Sequence, residues 1–255
     1  MKEVKDFIVA ETVRYNDMYG MLRLRPADGS PLPDIKPGQF VQVAVRTPGV
    51  FLRRPISINW VDADNGTLDL LVRRAGRGTE AMLRLVAGDT VNILLPLGNG
   101  FDTGMHPGSK AILIGGGVGV APLLYLGRKL ADEGVDVHFL LGARSSGDLL
   151  QRERFEAVGH VHLSTEDGSV GEKGLVTKHS VLGSEFDRIY CCGPSPMMKA
   201  VAAIARERGT ECYVSLENMM ACGLGACLCC VENTVKGNVC VCTEGPVFNV
   251  EMLNW

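Results

Sequence analysis

The chain has 255 residues, of which 46% are hydrophobic and 22% charged, which suits a globular protein with a real buried core. Its net charge of -3 gives no basic surface, so we expect no nucleic-acid partner. MKEVKDFIVAETV lacks the apolar core of a signal peptide, and the apolar run from Ala111 to Leu126 is too short to span a bilayer, so we expect a cytoplasmic protein without membrane segments.

Residues 4–97 contain six short strand-like segments: FIVAETVRY, YGMLRLRPA, GQFVQVAV, ISINWV, GTLDLLVRR and DTVNILLPL. Asp-Gly-Ser, Lys-Pro-Gly and Asp-Asn-Gly separate them at intervals typical of an antiparallel barrel. One short helix, TEAMLRL, follows Gly78. We predict a β-barrel domain over residues 1–104.

From Ser109 the pattern changes to alternating strands and helices. KAILIGGG, DVHFLLGA, VHLST and DRIYCCG are strand-like, whereas APLLYLGRKLADEG and SPMMKAVAAIARERG are helix-like. Such alternation predicts a parallel sheet with crossover helices, over residues 105–210. Residues 211–255 are too few and too rich in cysteine for a conventional core, and we predict a small third domain there.

Two turns in the predicted barrel are suited to binding an anion. Arg54 precedes Pro55 at the start of a strand, where its planar guanidinium could pair with a pyrophosphate and Ser57 could offer a hydroxyl and an amide. Gly78 and Thr79 open the helix, whose free amides also suit an anion. The alternatives are a solvated strand end and a glycine turn with Thr79 as N-cap. Together the two turns favour a bound dinucleotide.

A third anion-binding turn lies in the α/β region. The strand AILIGGG runs into Gly115, Gly117 and Gly119, and Pro122 lies near the first turn of the next helix. This pattern departs from GxGxxG, and Arg144 stands where a ribose-binding acid is usual. A tight turn without ligand is the alternative, but the strand–glycine–helix order favours phosphate binding.

The motif YCCGPSPMM closes another strand at the carboxyl edge of the same sheet, where open α/β folds bind ligands. Cys192 could face a nicotinamide there, and an inert buried cysteine fits the pattern equally well. No certain catalytic residue follows from the sequence.

These motifs resemble the ferredoxin–NAD(P)⁺ reductase superfamily. The matching elements are Arg54-Pro55-x-Ser57, Gly78-Thr79, PLGNGF, the GxGxxP turn and Cys192-Gly193-Pro194, in that order along the chain. The resemblance implies an FAD-binding barrel followed by a nicotinamide-binding domain in which Gly193 and Pro194 also belong to the NAD site.

All nine cysteines lie after residue 190, and six of them lie within residues 217–246. The spacing Cys222-x4-Cys227-x2-Cys230 is that of plant-type 2Fe–2S ligands, with a fourth cysteine further on. Zinc sites usually contain two CxxC pairs, so iron–sulfur is favoured over zinc. The interleaved glycines let the loop wrap tightly and direct amide hydrogens at sulfur.

The fourth ligand lies in the predicted hairpin NTVKGNVCVC. Cys240 and Cys242 would share one face of an extended strand, so periodicity does not choose between them. Cys242 adjoins the Thr-Glu-Gly-Pro turn, which favours it. Cys229, beside a ligand, is expected to be a packing residue.

A reductase with this C-terminal motif resembles the electron-transfer subunits of type B dihydroorotate dehydrogenases. The closest matching run is ENMMACGLGACLCCV…VCTEGPVF. The resemblance implies that the cluster is bound by Cys222, Cys227, Cys230 and Cys242. It also implies that FAD is lined by Arg54, Pro55, Ile56, Ser57, Leu71, Val72, Arg73, Gly78 and Thr79.

The same resemblance implies an oxidoreductase subunit in pyrimidine biosynthesis. A partner subunit with FMN would oxidise dihydroorotate, and electrons would pass through the 2Fe–2S cluster and FAD to NAD⁺. The expected assembly is a heterotetramer with two copies of each subunit. Two alternatives remain: a stand-alone reductase that feeds an oxygenase or a ferredoxin, and a redox sensor that uses the cluster as its signal.

Overall fold

The first part of the chain forms a closed antiparallel barrel in the computed structural model, which describes residues 2–255. Its strands are hydrogen-bonded in the order β1-β2-β5-β4-β3-β6. They are β1 (Glu3–Arg14), β2 (Tyr19–Pro26), β3 (Phe40–Val43), β4 (Arg54–Asp62), β5 (Thr67–Arg73) and β6 (Thr90–Leu97), with helix α1 (Arg77–Met82) before β6. Each predicted strand segment of this region is confirmed.

Alternation of side chains along the strands creates the interior of the barrel. Phe7, Leu24, Leu68, Leu70 and Ile93 come from four different strands, and all are completely buried in one apolar cluster. Because successive residues of a strand point to opposite faces, these positions fill the centre while their neighbours face outward. The barrel is therefore a packed support for ligands on its surface and rim.

The second part of the chain forms the predicted α/β structure. Its elements, with those of the cysteine-rich tail, are β7 (Lys110–Gly116), α2 (Ala121–Asp132), β8 (Asp136–Ala143), α3 (Arg152–Glu156), β9 (His160–Thr165), β10 (Glu172–Lys173), β11 (Arg188–Cys192), α4 (Ser195–Arg208), β12 (Glu211–Ser215), β13 (Val231–Thr234), β14 (Gly237–Cys240), α5 (Val241–Glu244) and β15 (Val247–Asn249). Seven strands form one sheet in the order β10-β9-β8-β7-β11-β12-β15, and β13 pairs with β14 in a hairpin.

All neighbouring strands in the seven-stranded sheet are parallel except β12 and β15. The chain builds outward from β7 to β8 and β9, then returns to place β11 on the other side of β7. The direction of winding therefore reverses between β7 and β11. In open α/β sheets such a reversal opens a ligand crevice at the carboxyl ends of the strands, here after Gly116 and Cys192.

Two compact units divide the tail between them. The first unit comprises the chain up to Gly100 together with Asn218–Glu232 and Asn238–Pro246. The second comprises Phe101–Glu217 with Asn233–Gly237 and Val247–Trp255. The division into three cofactor domains at residues 104 and 210 stays a prediction. None of the helices in residues 2–255 has the length and apolarity to cross a membrane.

Candidate functional site

The two neighbouring arginines of the predicted flavin motif have different partners. Arg53 donates hydrogen bonds to the carbonyl oxygens of Gln42 (3.2 Å) and Asn92 (3.0 Å), so its guanidinium cross-links barrel strands. Arg54 instead extends over Gly78, where an added Cβ would overlap the guanidinium. Glycine at position 78 therefore makes room for Arg54 beside the start of α1. The Nη1 atom of Arg54 donates to the nearby backbone carbonyls of Leu52 (2.9 Å) and Arg53 (3.3 Å), and a guanidinium held at this place suits a pyrophosphate.

The remaining predicted FAD residues lie on the neighbouring strands β4 and β5. Arg54, Pro55, Ile56 and Ser57 are consecutive and all half-buried, which differs from the strict alternation of an ordinary barrel strand. Leu71 and Val72 are buried, whereas Arg73 is exposed at the end of β5. Strands β4 and β5 are neighbours in the barrel and pair from Ile58 onward, whereas Arg54–Ser57 pair with β3.

Thr79 does not occupy the N-cap position that the alternative interpretation of this turn gives it. Helix α1 begins at Arg77, and Gly76 occupies the N-cap position. The Thr79 hydroxyl reaches back to accept hydrogen bonds from the amides of Ala75 (2.8 Å) and Gly76 (3.2 Å). The side chain thus stabilises the turn from inside the first helical turn, and its contact with FAD stays a prediction.

The predicted nucleotide motifs of β7 and β11 meet at the carboxyl edge of the sheet. A Cβ at Gly119 would collide with the backbone of Cys192 and lie 2.6 Å from the Cα of Gly193. Because backbone cannot move aside as a flexible side chain can, only glycine fits at position 119. The glycine turn and the Cys-Gly-Pro motif, distant in sequence, are therefore packed together at the crevice.

The other predicted NAD residues surround this contact. Gly117 begins a 3-10 turn (Gly117–Val120) with φ +56°, a conformation that favours glycine. Pro122 lies in the first turn of α2, as predicted. Gly115 packs against Val120, and Pro194 directly precedes α4. Arg144 follows β8 at the same edge and is exposed.

Cys192 is buried at the end of β11. Burial raises the pKa of its thiol well above the ordinary value, and its sulfur lies 3.9 Å from a carboxylate oxygen of Glu217. A neutral thiol in this position is a poor nucleophile but can pack against a ligand. Its contact with nicotinamide stays a prediction.

The predicted cluster cysteines lie in one unit: Cys222, Cys227 and Cys230 in a loop, and Cys242 in the helical turn α5. Backbone amides of both segments point at sulfur atoms. The amide of Leu224 donates to Cys222 (3.3 Å), that of Gly225 to Cys242 (3.1 Å), and that of Cys242 to the sulfur of Cys230 (3.4 Å). Such N–H···S contacts stabilise metal-bound thiolates and tune cluster potential. The donor set of the loop therefore fits an iron–sulfur cluster.

Backbone conformation explains the interleaved glycines of this loop. Gly223 and Gly225 have φ +71° and +81°, which favour glycine. Leu228 adopts φ +57° without being glycine, which marks a local cost within the same loop. Cys227 is exposed between them. The two glycines therefore suit the backbone of the loop, whereas Leu228 adopts its conformation at a cost.

The thiols of the loop differ in acidity. The backbone amide of Leu224 is the main cause that lowers the pKa of Cys222 to about 6. Burial is the main cause that raises the pKa of Cys242 to about 12. Cys222 is therefore the more acidic of these two thiols.

Two expectations about the tail are wrong. Strand β14 ends at Cys240, and Cys242 lies in the helical turn α5, so the two side chains do not share a strand face. The turn forms because the Gly245 amide bonds to the carbonyl of Val241 (3.0 Å). Cys229 is exposed, so it does not pack in the interior as predicted.

Asn99, within the PLGNGF motif, holds the turn that contains Cys242, a role that the motif alone does not indicate. Its side-chain amide donates to the carbonyl oxygens of Thr243 (3.1 Å) and Glu244 (3.0 Å), and its backbone amide donates to Gly245 (2.6 Å). These acceptors are the carbonyls that a helix leaves unpaired at its C-terminus. Asn99 thus ties the end of α5 to the barrel.

Gln42 belongs to none of the sequence motifs, yet it lies beside the cysteine loop. It is completely buried on β3, and its side-chain amide lies 3.5 Å from the carbonyl of Ala221, next to the first cluster cysteine. Among the buried side-chain oxygen and nitrogen atoms of residues 2–255, Oε1 of Gln42 is the one that has no hydrogen-bond partner. An amide in the otherwise apolar strand FVQV was the signal that could have identified it, since a buried polar group usually has a specific partner.

Comparison with known families agrees with this geometry. The family described as the iron-sulfur cluster binding domain of dihydroorotate dehydrogenase B matches residues 217–254. The oxidoreductase NAD-binding domain matches residues 113–203. The matched ranges contain the cysteine loop and the glycine-rich crevice, respectively.

Solved structures with a similar fold include reductases of several kinds. The NADH-dependent reduced ferredoxin-NADP oxidoreductase of flavin-based electron bifurcation aligns with a TM-score of 0.86 at 27% identity, over 98% of this chain and 90% of that chain. The flavohemoglobin of Malassezia yamatoensis aligns with a TM-score of 0.68 at 19% identity, over 81% of this chain and 57% of that chain. The second likeness concerns the fold alone. Both agree with the predicted architecture of barrel and α/β sheet.

Relatives with named functions are similar over most of the chain. The dihydroorotate dehydrogenase B (NAD(+)), electron transfer subunit, of Listeria monocytogenes serotype 4b (strain F2365) is 43% identical over 228 residues, which cover 88% of this chain and 89% of the relative. The protein of the same name from Shouchella clausii (strain KSM-K16) is 41% identical over 84% of this chain and 85% of the relative. The chain therefore belongs to the family of electron transfer subunits of dihydroorotate dehydrogenase B (NAD(+)).

Proposed function

We propose that this chain passes electrons from a dihydroorotate-oxidising partner subunit through a 2Fe–2S cluster and FAD to NAD⁺, in pyrimidine biosynthesis. Family membership confirms the expected electron-transfer function, the oxidoreductase class and the cofactor set of 2Fe–2S, FAD and NAD. The particular residues that bind each cofactor are part of the proposal.

One observation supports the proposal most directly: the cysteine loop rests on the flavin barrel. The Gln42 side chain contacts the loop at Ala221, and a Cβ at Gly223 would lie 2.9 Å from the same side chain. Gln42 is paired in register with Pro55, which belongs to the predicted flavin strand. A single residue pair thus separates the loop of the proposed cluster from the strand of the proposed flavin site, which suits electron transfer between the two.

The proposal assigns each group of residues to one cofactor. Cys222, Cys227, Cys230 and Cys242 hold the cluster. Arg54, Pro55, Ile56, Ser57, Leu71, Val72, Arg73, Gly78 and Thr79 line FAD. Gly115, Gly117, Gly119, Pro122, Arg144, Cys192, Gly193 and Pro194 receive NAD.

These cofactors divide the chemistry, because a cluster exchanges single electrons, a flavin one or two, and a nicotinamide a hydride. The protein itself supplies binding and orientation. Arg54 neutralises the flavin pyrophosphate, amides of the cysteine loop stabilise thiolate charge, and the Gly119–Gly193 contact shapes the nucleotide crevice.

A partner subunit follows from the family name, and we propose that it carries FMN and assembles with this chain as two copies of each. Apolar side chains around the cysteine loop support a docking surface: Met219 is 84% exposed, Leu224 48% and Leu228 65%. Exposed apolar residues that cluster beside a redox centre suit a protein contact that excludes water. A cytoplasmic location stays a prediction.

The decisive experiment is co-expression with a candidate FMN subunit, followed by purification on a tag of this chain. We expect co-purification and dihydroorotate-dependent reduction of NAD⁺ by the complex. This chain alone should reduce an artificial dye with NADH and leave dihydroorotate untouched. Efficient reduction of a soluble ferredoxin without any partner would instead identify a stand-alone reductase. Absence of NADH-dependent dye reduction by flavin-loaded protein would favour the redox sensor.

A further inference from the structure

Four of the five histidines of the chain gather on one side of the α/β sheet. His138 on β8 is in register with His160 on β9, and His162 follows on the same face of β9. The ring of His179 packs on that of His162, with centroids 5.9 Å apart. Asp136, two residues before His138 in β8, completes the group. The electron-transfer function uses none of these side chains.

Three of these residues direct ligand atoms at one point. The Oδ1 atom of Asp136 lies 3.4 Å from Nε2 of His138 and 3.6 Å from Nε2 of His160. The ligand atoms of all three residues lie within 4.8 Å of one another. Ligands bound at about 2.0–2.1 Å in a tetrahedral zinc site lie about 3.3–3.4 Å apart. The separations between Asp136 Oδ1 and the two Nε2 atoms are already close to that value. A small rotation of one ring would also bring the nitrogen atoms of the two histidines to that separation.

We propose that Asp136, His138 and His160 form a binding site for a divalent transition-metal ion, with Zn²⁺ the best fit. Two imidazoles and one carboxylate are borderline ligands that suit zinc, whereas Mg²⁺ and Ca²⁺ prefer all-oxygen sites. Three protein ligands leave a fourth position for water. The side chain of His160 is 69% exposed and that of His138 only 19%, so His138 is held by its surroundings whereas His160 faces solvent.

The contacts behind His138 fix its ring in the required orientation. Its Nδ1 lies 3.1 Å from Nε2 of His162, and Phe186 packs edge-on against the ring with centroids 5.3 Å apart. When Nε2 of His138 binds a metal, Nδ1 carries the proton and donates to His162. Metal-bound histidines usually have such an outer partner, which sets the tautomer and strengthens the ligand.

The site lies away from the nucleotide crevice. Asp136 and His160 are the first residues of β8 and β9, whereas the crevice lies at the carboxyl ends of the parallel strands, after Gly116 and Ala143. A metal ion would thus join two adjacent strands at the opposite edge of the sheet. We expect it to stabilise the sheet without competing with NADH.

The test is titration of FAD- and cluster-loaded protein with Zn²⁺, followed by calorimetry. We expect one site that His160→Ala weakens at least about tenfold, the loss typical even for removal of an outer partner. His160 is exposed, so this variant should fold. His106→Ala is the matched control, since His106 is the exposed fifth histidine and lies outside the group. It should bind zinc as the wild type does.

Crystals soaked in Zn²⁺ provide the second measurement. An anomalous difference peak between Asp136 and His138 would support the site directly. The exposed thiol of Cys229 is the competing ligand, so a peak there alone would overturn the proposal. Zinc binding of unchanged affinity in His160→Ala, or no binding to the wild type, would do the same.

Discussion

The backbone amide of Gly225 lies 3.1 Å from the sulfur of Cys242 and points toward it. The carbonyl of the same glycine lies 3.8 Å from the sulfur of Cys240, which can only donate to it. A metal-bound thiolate is stabilised by a donor and repelled by a carbonyl oxygen. The amide and the carbonyl of one residue, Gly225, therefore distinguish the two cysteines that the strand pattern treats alike.

We accordingly predict that Cys242→Ser loses the cluster, whereas Cys240→Ser keeps it. The measurements are iron and labile sulfide per chain, together with the visible spectrum of the anaerobically purified variants. Each variant replaces one cysteine by serine, so each is the control for the other. Loss of iron in Cys240→Ser with retention in Cys242→Ser would assign the fourth ligand to Cys240.

Arg54→Ala should release FAD and leave the cluster in place. The change removes the guanidinium over Gly78, and loss of a charge-assisted hydrogen bond typically weakens binding about 10- to 100-fold. Flavin content after gel filtration, relative to iron content, measures the effect. Arg84→Ala is the control, because Arg84 is exposed and pairs only with Glu80 in the same helical region. Equal flavin content in the two variants would contradict the proposed role of Arg54 in binding the pyrophosphate.

Gly119→Ala should damage the nucleotide crevice. The new methyl would collide with the backbone at Cys192 and Gly193, and overpacking of this kind typically costs about 1–3 kcal/mol. We expect a lower melting temperature and a higher KM for NADH in dye reduction, with normal FAD and iron contents. Gly183→Ala provides the control, since a Cβ there meets nothing within 4 Å. An unchanged KM in Gly119→Ala would argue against nucleotide binding at this turn.

Asn99→Ala should loosen the turn that contains Cys242. The variant loses two side-chain hydrogen bonds to the carbonyls of Thr243 and Glu244, worth roughly 1 kcal/mol at an exposed position. We expect the cluster to be lost faster on exposure to air or chelator, as followed by the decay of visible absorbance. Asn65→Ala, which alters an exposed turn elsewhere in the barrel, should decay at the wild-type rate. Identical decay of the wild type and both variants would show that Asn99 does not stabilise the cluster.

Cys222 should be the cysteine of the cluster-free protein that iodoacetamide modifies at the lowest pH. The amide of Leu224 lowers the pKa of this thiol from the ordinary 9.0 to about 6, so the thiolate predominates at pH 7. The modification rate, measured by mass spectrometry, should rise with pH through about 6 and level off above it. Leu224→Pro removes the amide and should move this rise to higher pH. Leu224→Ala keeps the amide and should leave the profile in place.

Several elements could be predicted from the sequence because they depend on local patterns. Alternating apolar residues and turn signals specified the barrel strands, and the strand–glycine–helix order placed Pro122 in the first turn of α2. The spacing of Cys222, Cys227 and Cys230 likewise pointed to iron–sulfur without any structure. Errors occurred where a distant segment decides the local conformation. The residues around Cys242 have the pattern of a strand, yet they form a helical turn whose last carbonyl oxygens accept hydrogen bonds from Asn99.

What the sequence by itself determined was therefore the fold of barrel and α/β sheet, the cofactor set and the family. What only the tertiary structure decided was how individual side chains are used. Arg53 and Arg54 are neighbours with the same chemistry, but Arg53 is held by Asn92 of another strand and only Arg54 faces the turn at Gly78. The reason is physical: a motif records which groups are available, whereas hydrogen bonds and packing between distant strands consume some of those groups and leave others for a ligand.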